Sequence, residues 1–252
     1  MTDDTRALTG RVAIVTGAGR NIGAAIARAL AAAGAAVVVN ARANATEAEA
    51  VARDIEAAGG VALPLTADVG DADAVHRMIE AAVARFGRID ILVNNAALRR
   101  ERPFDTMTYA DWREIMRVTL DGAFHCVKAC LPYLKRSGAG AIVNIGGLSA
   151  HTGSKDRAHV VTAKAGIVGF TRALAHDLAA ENITVNCVSP GLIGNRPAGM
   201  PEPQHHLRHD TITGVRGVPN DIGAIVRFLC GPCARYVTGQ TIHVNGGAYL
   251  GS

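Results

Sequence analysis

Short aliphatic runs recur along the chain at 12–16, 37–39, 62–66, 91–94, 142–145, 183–188 and 241–244. Such runs, continuous rather than alternating, are the pattern of strands buried on both faces. Between them lie longer stretches with apolar positions at helical spacing, at 22–33, 46–58, 72–86, 109–135, 160–180 and 220–229. A strict strand-helix alternation requires parallel strands joined by right-handed crossovers. The expected fold class is therefore α/β, a seven-stranded parallel doubly wound sheet with helices on both faces.

A chain of 252 residues, 49% of them hydrophobic, forms one core of ordinary size, so residues 1–252 are read as a single domain. The one irregular stretch, 191–219, is rich in Gly, Pro and His and is read as a substrate lid. Aromatics make up 4%, which points to a core of small and branched aliphatics. The net charge of +4 is spread along the chain, with no basic arm for nucleic acid. No apolar run reaches the ~18 residues of a membrane span. The start Met-Thr-Asp-Asp-Thr-Arg lacks the apolar core of a signal peptide, and a cytoplasmic location is expected.

Five cysteines in a long chain without a secretory signal argue for reduced thiols. Cys230-Gly231-Pro232-Cys233 has redox spacing but follows a helix rather than opening one, so its thiols gain nothing from a helix N-terminus. Cys126 and Cys130 are read as helix core. His205, His206 and His209 include an i, i+4 pair on the lid, but no carboxylate or thiol completes a ligand set, and no metal is expected.

In a doubly wound sheet the ligand lies beyond the carboxyl ends of the strands, so the loops there carry the chemistry. The first is Thr16-Gly17-Ala18-Gly19-Arg20-Asn21-Ile22-Gly23, followed by a helix of small residues. Glycines let the backbone turn tightly and approach a pyrophosphate, which the helix N-terminus stabilises. Asn94-Asn95-Ala96-Ala97 follows the fourth run, Asn186-Cys187-Val188-Ser189-Pro190-Gly191-Leu192-Ile193 ends the sixth, and 236–247 surrounds the last. With the helix carrying Lys164, these segments in this order resemble the short-chain dehydrogenase/reductase family over about residues 8–248.

The resemblance implies a single-domain Rossmann fold, a nicotinamide cofactor and a homotetramer. It assigns the cofactor to Gly17, Arg20, Asn21, Ile22, Gly23, Arg42, Asp68, Val69, Asn94, Ala96, Lys164, Pro190, Gly191 and Ile193. Asn21 stands where the family commonly has a second glycine; a short polar residue tolerates unusual backbone angles better than most. The second strand ends Val39-Asn40-Ala41-Arg42, with Ala41 where relatives using NAD carry Asp. Without that carboxylate, Arg42 and Arg20 suit a 2′-phosphate, and NADP(H) is the expected cofactor.

The catalytic side departs from the family. Carbonyl reduction needs a proton donor within hydrogen-bond reach of the developing alkoxide. Relatives use Tyr, assisted by Lys, Ser and Asn. Here Lys164 matches, while the Tyr, Ser and Asn positions hold Val160, Gly147 and Thr119. Polar residues crowd nearby, among them Ser149, His151, Ser154 and His159. His159, His151 or an ordered water is the candidate replacement for the tyrosine beside Lys164, histidine because it titrates near neutrality, and Ser149, two residues past the expected serine, is a further candidate for the pocket. His159 lies roughly 140° from Lys164 on an ideal helix, so it aims correctly only if the helix begins late.

Arg99, Arg100, Arg102, Lys155 and Arg157 gather on the same rim and suit a small-molecule substrate with an anionic group. The expected function is an NADP-dependent oxidoreductase acting on a carbonyl or alcohol with an atypical acid-base group. The alternatives are an NADP-binding pseudoenzyme or scaffold, and non-redox lyase or isomerase chemistry in the same pocket.

Overall fold

The computed structural model describes residues 6–194 and 210–251. Its centre is a seven-stranded sheet: β1 (Val12–Val15), β2 (Ala36–Ala41), β3 (Val61–Thr66), β4 (Ile91–Asn94), β5 (Ala141–Ile145), β6 (Thr184–Pro190) and β7 (Thr241–Val244). The spatial order is β3-β2-β1-β4-β5-β6-β7 and every pairing is parallel. The α/β doubly wound, single-domain Rossmann fold read from the sequence is the fold observed.

The helices are α1 (Asn21–Ala32), α2 (Ala45–Ala57), α3 (Ala72–Phe86), α4 (Tyr109–Met116), α5 (Gly122–Ser137), α6 (Ser149–Thr152), α7 (Ala158–Leu178) and α8 (Pro219–Cys230). Strand periodicity divides them between two cores. Ala13, Val15, Val37, Val39, Val143 and Val188 face α1, α2 and α8. Ile14, Val38, Leu92, Ile142 and Val185 face α3, α5 and α7. Pro64 interrupts neither core, because β3 is an edge strand, where a missing N–H leaves no ladder partner short.

Three expectations need correction. The helix placed at 109–135 is two helices, α4 and α5, joined through a π-helical turn at Arg117–Asp121. A π turn widens the helix by one residue without breaking its apolar stripe, so the pattern gave no sign of it. Ser149–Thr152 forms a short helix outside the expected helical stretches. The helix carrying Lys164 begins at Ala158, two residues before the expected start. The expected lid at 191–219 falls partly outside the described residues, and so do His205, His206 and His209.

The thiols of Cys126, Cys130, Cys187 and Cys230 are buried, Cys233 is exposed, and all five are free. Burial pushes Cys126 and Cys230 up to about 12, far from a reactive thiolate. Among the described residues no helix is long and apolar enough to cross a membrane.

Candidate active site

The turn after β1 is built for close approach. Gly17 has φ +61°, and a Cβ added at Gly23 would lie 2.3 Å from the Gly17 carbonyl oxygen, so the loop closes only with glycine at both places. Asn21 adopts φ +49°, a left-handed conformation that asparagine accepts more readily than other side-chain-bearing residues. Buried Asn40 and half-buried Asn95 brace the turn. Asn40 accepts from the Gly17 N–H at 3.2 Å, and Asn95 Nδ2 donates to the carbonyls of Thr16 and Gly17 at 2.9 and 3.0 Å. Thr16 Oγ1 in turn accepts from the N–H groups of Asn95 and Ala96, both at 3.0 Å. The sequence reading missed Asn40 and Thr16; a polar residue inside an otherwise apolar strand end was the available signal.

At the end of β2, Ala41 is buried, and Arg20 and Arg42 are exposed. Arg20 lies 4.0 Å from Glu47, the residue whose backbone N–H is capped by Asn44 at the start of α2. Asp68 receives Arg117 at 2.9 Å and the Gly70 N–H at 2.9 Å. Burial raises the Asp68 carboxyl, but the Arg117 bond, the Gly70 N–H and the charges of Arg117 and Arg42 outweigh it and hold it below its ordinary value. Val69 is buried, and its carbonyl lies 3.1 Å from His125 Nδ1.

Behind this loop a polar chain crosses the sheet. Asn94 Nδ2 donates to Asn144 Oδ1 at 2.8 Å, Asn144 Nδ2 to Thr171 Oγ1 at 2.9 Å, and Thr171 Oγ1 to the Ile167 carbonyl at 2.8 Å. It ties β4 to β5 and β5 to α7 through groups withdrawn from water.

An open cleft of about 760 Å³ lies at the carboxyl ends of the strands. Residues 146–149 after β5 and 190–193 at the end of β6 form its walls, with Ile22 at the glycine-loop side. Val160, Lys164, Arg157, Arg99 and Ser154 complete it. Lys164 donates to the Ile145 carbonyl at 2.6 Å and is 6% exposed. Burial first, then the positive charges of Arg99 and Arg157, lower its ammonium to about 7 against an opposing effect of Cys187. Among the described residues lining the cleft it is the one whose pKa lies near neutrality.

The structure separates the catalytic candidates. Ser149 lines the cleft with Lys164; His151 and His159 do not. Because α7 begins at Ala158, His159 is already helical, is 1% exposed, and feels the charges of Asp111, Arg157 and Arg100 on the side toward α4. The late start that would have aimed it at the cleft does not occur. His151, on α6, packs edge-on to His243 with ring centroids 4.6 Å apart and stacks on Tyr249 at 5.3 Å. Burial, then the charges of His243 and Arg172, lower its pKa.

Val160 is 3% exposed and packs with Ile115, Met116 and Ala163 as well as facing the cleft. Thr119 is buried within the π turn. The rim cations also divide. Arg100 is paired with Glu114, and Arg102 lies 3.7 Å from Asp111, whereas Arg99 and Arg157 face the cleft.

Comparison with known proteins agrees with this geometry. A family model described as Enoyl-(Acyl carrier protein) reductase matches residues 17–249. The chain is 40% identical over 245 residues to a 3-oxoacyl-[acyl-carrier-protein] reductase of Synechocystis sp., covering 97% of this chain and 99% of that one. A variant of a Serratia marcescens short-chain dehydrogenase/reductase superposes with a TM-score of 0.90 at 34% identity, covering 97% of this chain and all of the other, 100%. A 7α-hydroxysteroid dehydrogenase complexed with NADH and 7-oxo glycochenodeoxycholic acid superposes with a TM-score of 0.90 at 33% identity, covering 98% of this chain and 97% of that one. On this match of sequence and architecture, the chain belongs to the short-chain dehydrogenase/reductase family.

Proposed function

We propose that the protein is an NADP-dependent oxidoreductase for carbonyl or alcohol substrates, in which Lys164 takes over the proton transfer that relatives assign to tyrosine. The observation that carries this reading is one continuous cleft whose wall runs from Ile22, at the dinucleotide loop, to Lys164, held near neutral pKa by burial and two guanidiniums. A group titrating close to the working pH is best suited to give and take a proton.

The glycine loop fits a pyrophosphate, because the space a Cβ would fill at Gly17 and Gly23 is kept clear. Gly17, Asn21, Ile22 and Gly23 would hold that group, Asp68, Val69, Asn94 and Ala96 the adenosine side, and Lys164, Pro190, Gly191 and Ile193 the nicotinamide end. Arg20 and Arg42, unopposed by any acid at residue 41, would take a 2′-phosphate. When bound, the cofactor supplies or accepts the hydride. Lys164 keeps one N–H on the Ile145 carbonyl and lines the cleft, whose wall also carries Ser149 and Ser154. Leu148, Val160, Leu192 and Ile193 exclude water around it. Exposed Tyr109 and Phe124 on the α4–α5 side and Phe228 on α8 leave apolar faces that suit a homotetramer.

The family's Tyr, Ser and Asn positions are held here by Val160, Gly147 and Thr119, which favours a second reading, an NADP-binding pseudoenzyme. NADPH oxidation with a carbonyl panel separates the two. The redox reading expects Lys164→Ala to lower kcat at least ~100-fold and His159→Ala to leave it within about threefold. Tight NADPH binding with no carbonyl turned over by the wild type would leave the pseudoenzyme.

A further inference from the structure

Arg157 is 7% exposed, lines the cleft, and its Nε–H has no acceptor. The Ser154 hydroxyl, on the same wall, is likewise buried without a partner. Unpaired buried donors are costly, and a guanidinium costs more than a hydroxyl. Arg99 faces the same space, and Lys164 stands beside both. The three positive groups disfavour one another's charge, and Glu101 opposes this at Arg157. Among the described residues lining the cleft, none is acidic.

The two arginines are held in place together. Asp156 adopts φ +58°, an uncommon conformation for a residue with a side chain, and its carbonyl accepts the Arg102 N–H at 2.7 Å. The loop that carries Arg99 is thereby tied to the turn that aims Arg157.

We propose that Arg99, Arg157 and Ser154 form a carboxylate pocket beside Lys164, so that the substrate is a small hydroxy or oxo acid whose carboxylate lies on the two guanidiniums. The term substrate rests on the oxidoreductase reading; the pocket does not. A planar guanidinium matches a planar carboxylate through paired hydrogen bonds. The aliphatic remainder of the cleft, Leu148, Val160, Leu192 and Ile193, suits a short carbon chain and a monoanion better than a strongly hydrated dianion. A bound carboxylate also offsets the charges of Arg99 and Arg157 at Lys164, so binding restores the lysine's proton. The substrate would thus arm its own acid.

Calorimetry on the protein, with and without NADPH, tests this using pyruvate, 3-hydroxybutyrate, their neutral amides and inorganic phosphate. Buffers of differing ionisation enthalpy read proton uptake at pH 8. The expected result is carboxylate binding with proton uptake, amides at least ~10-fold weaker, and a loss of about tenfold or more in both Arg99→Gln and Arg157→Gln. Arg99→Gln, at an exposed position, carries the test if Arg157→Gln does not fold. Absence of carboxylate binding, amides binding equally, or phosphate binding about tenfold more tightly than carboxylates would each overturn the proposal. Failure of the redox reading shows separately, as carboxylate binding intact with no cofactor oxidised.

Discussion

Gly147 faces Lys164 across open space: a Cβ added at residue 147 would come no nearer the lysine than 4.0 Å, from its Cγ. Gly147→Ser should therefore fold without strain. Val160→Tyr is harder, since Val160 packs against Ile115, Met116 and Ala163, and overpacking there should cost about 1–3 kcal/mol. The double variant should gain at least ~10-fold in NADPH oxidation with neutral carbonyls, because it restores a phenolic acid and a carbonyl-orienting hydroxyl. Folded double variant without any gain would mean that these positions do not face the reacting group.

With Lys164 as acid, carbonyl reduction needs the ammonium form. The rate should fall as pH rises through about 7. Removing a positive neighbour raises the lysine's pKa, so Arg99→Gln and Arg157→Gln should move this fall to higher pH. Stability provides an independent readout. The folded pKa is below the ordinary lysine value, so the unfolded chain binds more protons between about 7 and 10.5, and stability should rise with pH across that window. Lys164→Met should flatten the rise in urea titrations at pH 7 and 10.

Cofactor choice should follow Arg20, at the start of α1, and Arg42, just after β2. Arg20→Ala and Arg42→Ala should each weaken NADPH about 10-fold in a fluorescence titration while leaving NADH within about twofold. Glu47, 4.0 Å from Arg20, opposes a phosphate there. Glu47→Gln should tighten NADPH and leave NADH unchanged.

Asp90 anchors the amino ends of the central strands β1 and β4, away from the cleft. Its carboxylate has no exposure and accepts from the Val12 N–H at 2.9 Å, from Arg88 at 2.8 and 2.6 Å, and from Ser137 at 2.6 Å. Asp90→Ala leaves those donors short and should cost about 3 kcal/mol in denaturant unfolding. Burial raises this carboxyl, but the bonds from Arg88, Ser137 and Val12 outweigh it and hold its pKa below the ordinary value. Its contribution is therefore complete above the ordinary carboxylate range and is lost as pH falls through the depressed folded value. Asp90→Asn should remove that acid sensitivity, seen as a flatter melting temperature below pH 4.

The fold was legible because burial on both faces writes each strand as an unbroken aliphatic run, as at Val12–Val15 and Ile91–Asn94. The glycine loop was legible for a similar reason, since steric exclusion at Gly23 leaves no other residue. Side-chain direction was not. Arg99 and Arg100 are adjacent and chemically identical, yet one faces the cleft and the other pairs with Glu114 across the chain's fold. His159 illustrates the same limit: two residues' difference in where α7 begins decides its direction, and no capping side chain marks that start.

The Asn94–Asn144–Thr171 chain makes mechanical sense of how the glycine loop and Lys164 stay in register. Sliding β4 past β5, or β5 past α7, would strand several amide groups where no solvent can replace the lost bonds. The floor of the glycine loop and the helix bearing Lys164 are therefore coupled as one plate, and among the described residues opening of the cleft falls to the rim, between Arg99 and residues 190–193.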